Sequence, residues 1–137
     1  MFAFRPNGLA ALAAACALLA TLQEAAAFEL SGAWATDPQL CDHVFTRKGD
    51  QITFTELSDL YGSGFVVNAK RIVGKAANCT IESTRQNGQS LELFAACATS
   101  IMHQNVRFSL EVIDDNTVRR TIEDIPGMAI NYSRCKI

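Results

Sequence analysis

Beyond residue 27, apolar and polar positions alternate in short runs, and no run carries a helical period of useful length. The cleanest alternation sets Val106, Phe108, Leu110 and Val112 against Arg107, Ser109 and Glu111, the pattern of a strand with one buried face. Phe28, Leu30 and Trp34 share one face of a first strand, and Gly32 between them lets the backbone bend. Asp37 and Pro38 suit the cap and first position of a short helical turn that delivers Cys41. Strands are expected at residues 43–47 and 51–56 around Lys48-Gly49-Asp50, and at 65–67 and 71–75 after a loop with Gly62 and Gly64. Residues 100–105 read as irregular. Asp114-Asp115-Asn116 reads as a tight turn, 117–123 as a returning strand, 124–129 as a loop and 130–135 as the closing strand, with Tyr132 and Arg134 on one face.

Residues 78–99 form the strongest local signal, two strand-like runs around Asn87-Gly88. Leu91, Leu93, Ala95 and Cys97 lie on one side of the second run, Cys79 and Ile81 on one side of the first. Pairing Cys79 with Cys97 sets Ile81 opposite Ala95 and Ser83 opposite Leu93, gathering apolar and small residues on one face. A plain two-residue Asn87-Gly88 loop would put the cysteines on opposite faces. The pairing therefore requires a longer loop or a bulge that adds one residue to an arm. Cys41 then pairs with Cys135. The pattern amounts to about eight or nine short strands. The expected fold is all-β, an antiparallel meander closing into a small barrel with two disulfides, because closure removes exposed edges.

Residues 1–27 break the pattern. Arg5, an apolar run from Leu9 to Leu22 and Ala25-Ala26-Ala27 make up a secretory signal peptide cut after Ala27. The expected mature chain is a single domain, residues 28–137, located in the periplasm or secreted. Cys16 follows three alanines, as at a bacterial lipoprotein site, and membrane attachment is expected only if Cys16 is lipidated. Against lipidation, the apolar run continues beyond it to Leu22. Of the five cysteines, the four after residue 27 suit a disulfide frame in an exported chain.

Charge and chemistry add exclusions. The net charge of −2 and the lack of a basic stripe speak against nucleic acid as a partner. No Cys-x-x-Cys pair occurs and His43 and His103 stand apart, so neither a metal nor another cofactor is expected. No acid–base set or Gly-x-Ser-x-Gly elbow appears, and the chain is not expected to be an enzyme. Glu56 and Asp59 read as solvated turn acids. Three apolar loops hold no evident core position: 60–65 with Tyr61 and Phe65, 100–102 with Met102, and 125–129 with Met128. Gathered at one barrel mouth, with Tyr61 as a polar handle, they form together with Trp34 the expected binding site for a small apolar ligand or an envelope protein.

Gly32-Ala33-Trp34, Cys41 and Tyr132-Ser133-Arg134-Cys135 resemble the pattern of small exported single-domain proteins of Gram-negative bacteria. That resemblance implies a lipocalin-like barrel and no particular activity. Glu29–Trp34 and Cys41 also resemble the opening of bacterial metalloprotease inhibitors of the alkaline-protease type. Those insert a free N-terminal arm into the protease, whereas cleavage after Ala27 leaves almost no arm before Leu30. Inhibition of an envelope or host hydrolase, of the protease or lysozyme type, is the alternative expectation.

Overall fold

The computed structural model describes residue 3 and residues 26–137. Cys16 and most of the expected signal peptide lie outside the described residues. Among the described residues ten strands form: β1 (Gly32–Ala35), β2 (Phe45–Lys48), β3 (Gln51–Phe54), β4 (Gly64–Asn68), β5 (Arg71–Val73), β6 (Asn78–Asn87), β7 (Ser90–Ala98), β8 (His103–Asp114), β9 (Thr117–Thr121) and β10 (Ala129–Cys135). Eight of them close an antiparallel barrel in the order β1-β10-β9-β8-β7-β6-β5-β4, and β2 and β3 pair separately. Closure comes from β1, whose Trp34 pairs with Arg134 on one side and Phe65 on the other.

The separate hairpin departs from the expected single meander. It belongs to the long connection between β1 and β4. Asp37 accepts a bond from the Gln39 amide at 2.9 Å and starts a turn over Pro38–Leu40. The turn passes into a four-residue helix, α1 (Cys41–Val44), so His43 is helical and not in a strand. The connection lies on the outside of the barrel. Cys41, Val44 and Phe45 pack on Ala33, Ala35, Val66 and Cys135, with Ile52 and Phe54 around them. The Cys41–Cys135 disulfide, Cα–Cα 5.7 Å, therefore fastens this outer layer to the wall, while β1–β10 hydrogen bonds close the barrel. Gly64 shows how tight the layer is: a Cβ there would lie 2.3 Å from the Trp34 carbonyl and 2.8 Å from the Phe45 ring. Only glycine lets three elements approach so closely.

β1 is consequently buried on both faces, with Trp34 turned inward and Ala33 and Ala35 outward. The interior holds Trp34, Val67, Ile72, Leu91, Leu93, Leu110, Val118 and Tyr132, drawn from inward positions around the wall. Both Cys79 and Cys97 face it and pair directly, Cα–Cα 4.0 Å. The register conflict at this hairpin is resolved by a bulge between Ile81 and Ser83, leaving Glu82 unpaired. Ile81 faces Ala95 as expected, but Ser83 faces Phe94, one place from Leu93. The turn residues are Gly88-Gln89, shifted by one from Asn87-Gly88, because Asn87 pairs with Ser90. Gly88, at φ +60°, takes the first loop position, where a type II′ turn requires glycine. β8 begins at His103, earlier than its apolar alternation, because β7 runs to Ala98 and pairs with it.

The two ends of the barrel differ. Short turns at 69–70, 88–89 and 115–116 mark one end, and residues 28–31 fold across it. There the Trp34 Nε1–H donates to the Leu30 carbonyl at 2.9 Å, so its one polar group is satisfied in the core. The Arg134 guanidinium lies 4.4 Å from the Trp34 ring and donates to the carbonyls of Ser31 (2.7 Å), Glu29 (2.7 Å) and Asp115 (3.2 Å). One side chain thus ties residues 29–31, the β8–β9 turn and the last strand together. The other end carries the longer connections, 36–63, 74–77, 99–102 and 122–128.

Candidate functional site

Eight strands leave an interior just wide enough for side chains or for one small ligand. Here the closed end is filled and the other end is not. A cavity of about 180 Å³ extends inward from the end with the longer connections. Phe65, Ile72, Leu93, Phe108, Leu110 and Tyr132 form its walls, with Gly74 and Ala77 contributed by the β5–β6 connection. Among the described residues, Arg120 of β9 is the one charged side chain lining it. The floor is an aromatic ladder. Tyr132 meets Phe65 edge-on at 5.0 Å, and Phe65 stacks on Trp34 at 6.3 Å. A wider trough of about 570 Å³ lies beside Arg71, Asn78, Thr80, Ala96, Ala98 and His103, but it is open surface with no enclosing wall.

Around the cavity end stands an apolar rim. Among the described residues, every exposed large apolar side chain except Ile113 belongs to a connection at this end: Leu57, Leu60, Ile101, Met102, Ile125 and Met128. Exposure reaches 74% at Leu60 and 89% at Ile101. Internal hydrogen bonds hold these connections in shape. The Thr99 hydroxyl accepts from the Met102 amide at 3.2 Å, and the Thr99 amide donates to the Met102 carbonyl at 2.9 Å. In the β9–β10 connection, the Ile122 amide donates to the Met128 carbonyl at 3.0 Å. Lys75 Nζ donates to the Thr55 carbonyl (2.9 Å), the Glu56 carbonyl (3.1 Å) and the Ser58 hydroxyl (3.0 Å), tying the β5–β6 connection to the outer layer.

The five residues singled out from the sequence fall in different places. Phe65 lines the cavity, and Trp34 supports it from beneath. Met102 and Met128 stand on the rim. Tyr61 belongs to the outer layer, where its ring packs 4.6 Å from His43, and it does not line the cavity. Leu93, Phe108 and Leu110 are legible as inward strand positions but not as a site, and Ile72 and Tyr132 only as strand residues with no inward face assigned. Arg120 had a specific signal: a charge two residues from Val118, on the strand face that turns to the core.

Charged groups near the rim pair on the outside of the wall. Arg107 Nε (2.9 Å) and the Ser109 hydroxyl (3.1 Å) donate to Glu123, and these bonds hold its carboxyl below the usual carboxylate range. Among the described residues no three His, Cys, Asp or Glu side chains come together as a metal site requires. None of the described helices is long and apolar enough to cross a membrane. The two disulfides suggest an oxidising, extracytoplasmic environment. Comparison with protein-family models, with curated proteins and with solved structures yields no match in any of the three.

Proposed function

We propose that the protein is an exported, non-enzymatic β-barrel that binds a small apolar ligand inside the barrel. Residues 1–27 direct it across the membrane, and it works in the periplasm or is secreted. The observation that carries this reading is the interior cavity of about 180 Å³, walled by apolar side chains and opening at the end with the apolar rim. A barrel whose only task was structural would gain stability by filling that space, since a void in a core forfeits contacts on every side. The rim serves entry. Ile101, Met102, Ile125 and Met128 offer a lipophile a surface to cross before it reaches Phe65. A thermal-shift series with neutral lipophiles, naphthalene and octanol, tests the reading. Melting temperature is expected to rise with ligand concentration, as linkage requires of a ligand that binds only the folded state. A flat response across the series would rule it out.

A second reading, inhibition of an envelope or host hydrolase, is favoured by one feature. Ile101 stands 89% exposed at the tip of a turn held by Thr99. A rigid projecting apolar tip suits insertion into a hydrolase cleft, because little ordering entropy is lost on binding. An inhibition assay against a panel of proteases and lysozymes separates the two: on this second reading the protein inhibits one of them and Ile101→Asp abolishes the inhibition, whereas on the first it inhibits none.

A further inference from the structure

We infer that the ligand is a lipophilic carboxylate, held at its head by Arg120. This inference rests on the reading of the cavity as a ligand site and names the chemistry that the site selects. Arg120 occupies an inward position on β9, between Leu110 on β8 and Ile130 on β10. Its guanidinium lies 4.8 Å from the Phe108 ring, on the cavity wall. Its Nε is buried and has no hydrogen-bond partner among the described residues, a state shared only with the Thr53 hydroxyl. The side chain as a whole is half-buried, and a buried donor atom without an acceptor is rare in native structures.

The fold withholds a partner from Arg120. Neighbouring carboxylates point to the outer face, where Glu123 takes bonds from Arg107 and Glu111 pairs with Arg119 at 3.3 Å. The Phe108 face supplies only a cation–π contact, which leaves the in-plane N–H groups free. Those N–H groups form a planar fork that matches a carboxylate, with two parallel charge-assisted bonds. The rest of the cavity is apolar, so the ligand is amphipathic, with an anionic head at Arg120 and an apolar body against Leu93 and Phe65. Its volume sets the scale. About 180 Å³ is slightly more than a cavity that takes up benzene. One ring or a short acyl chain fits inside, and a longer chain or further rings extend past the rim.

The test is displacement of the fluorescent lipophile N-phenylnaphthylamine from the mature protein by octanoate, octanol and octylamine, which differ only in the head. Octanoate is expected to displace it at least tenfold more effectively than octanol, with octylamine weaker than both. Arg120→Met should abolish that preference, bringing octanoate and octanol within about threefold, while the fluorescent probe still binds. Arg120→Lys retains the charge without the fork and is expected to fall between the two. Equal displacement by octanoate and octanol from the unaltered protein would overturn the carboxylate inference while leaving the cavity reading intact. Failure of the unaltered protein to bind the probe or any of the three would overturn both. The comparison of heads on the unaltered protein decides the matter even if a variant does not fold.

Discussion

At the scale of single residues, close approach and hydrogen bonding make definite claims. Gly64→Ala brings a Cβ to 2.3 Å from the Trp34 carbonyl, against two backbones and a buried ring that cannot swing away. Overpacking of this kind costs about 1–3 kcal/mol, and chemical denaturation of the variant should show that loss without a change in slope. Glu123 makes a claim about pH. Its folded pKa is held below the unfolded value by Arg107 and Ser109, so the bonds favour the folded state at neutral pH. That contribution is complete above the unfolded pKa and disappears as pH falls through the folded one. Melting curves of the unaltered protein and Glu123→Gln should therefore differ at pH 7 and converge in acid. Residue chemistry of this kind is partly readable in advance. Trp34, on the apolar face of the first strand, and Phe65, in an apolar loop, are readable as candidates, and both flank the cavity. Arg120 did not stand out, because its meaning depends on which face of β9 turns inward and on where the neighbouring carboxylates point.

At the scale of elements, the two disulfides fix different things. Cys79–Cys97 joins adjacent strands inside the wall, closing a separation of 18 residues. Cys41–Cys135 closes a separation of 94 and holds the outer layer against β1, β4 and β10. Chain-entropy estimates are roughly 3 kcal/mol for the first and between about 4 and 5 kcal/mol for the second. Urea unfolding of the Cys79→Ala/Cys97→Ala and Cys41→Ala/Cys135→Ala variants should rank them in that order. The reverse ranking would mean that the outer layer is held mainly by its apolar contacts. The pairing itself was legible because one register brought apolar and small residues onto one face. The place of the bulge was not, since Glu82 is as acceptable unpaired as any residue of that arm. The β2–β3 hairpin was legible as two strands but not as an outer layer. Alternation at Ile52 and Phe54 shows that one face is buried, yet it is the same pattern whether the partner is the barrel interior or its outside. Tyr61 reads as a mouth residue because its apolar loop has no evident core position, and the outer layer that supplies one is not visible in the pattern.

At the scale of the molecule, the barrel is built as a vessel with one finished end. Arg134, Trp34 and residues 28–31 close one side, and the connections of the other side carry the apolar rim above an unfilled interior. Barrel closure was predictable from short alternating strands and the need to remove edges. The unfilled interior was not, because it depends on how side chains of strands far apart in sequence fill a shared volume. Trp34, the single tryptophan, stacks on Phe65 at the cavity floor and so reports on what enters. The most direct measurement is energy transfer from Trp34 to N-phenylnaphthylamine, titrated into the unaltered protein and into Ala77→Phe. That substitution adds a ring to the cavity wall from the β5–β6 connection, away from the closed end. Saturable transfer in the unaltered protein, lost in a folded Ala77→Phe, is the predicted result. Equal transfer in both proteins, or none in either, would contradict a ligand site inside the barrel.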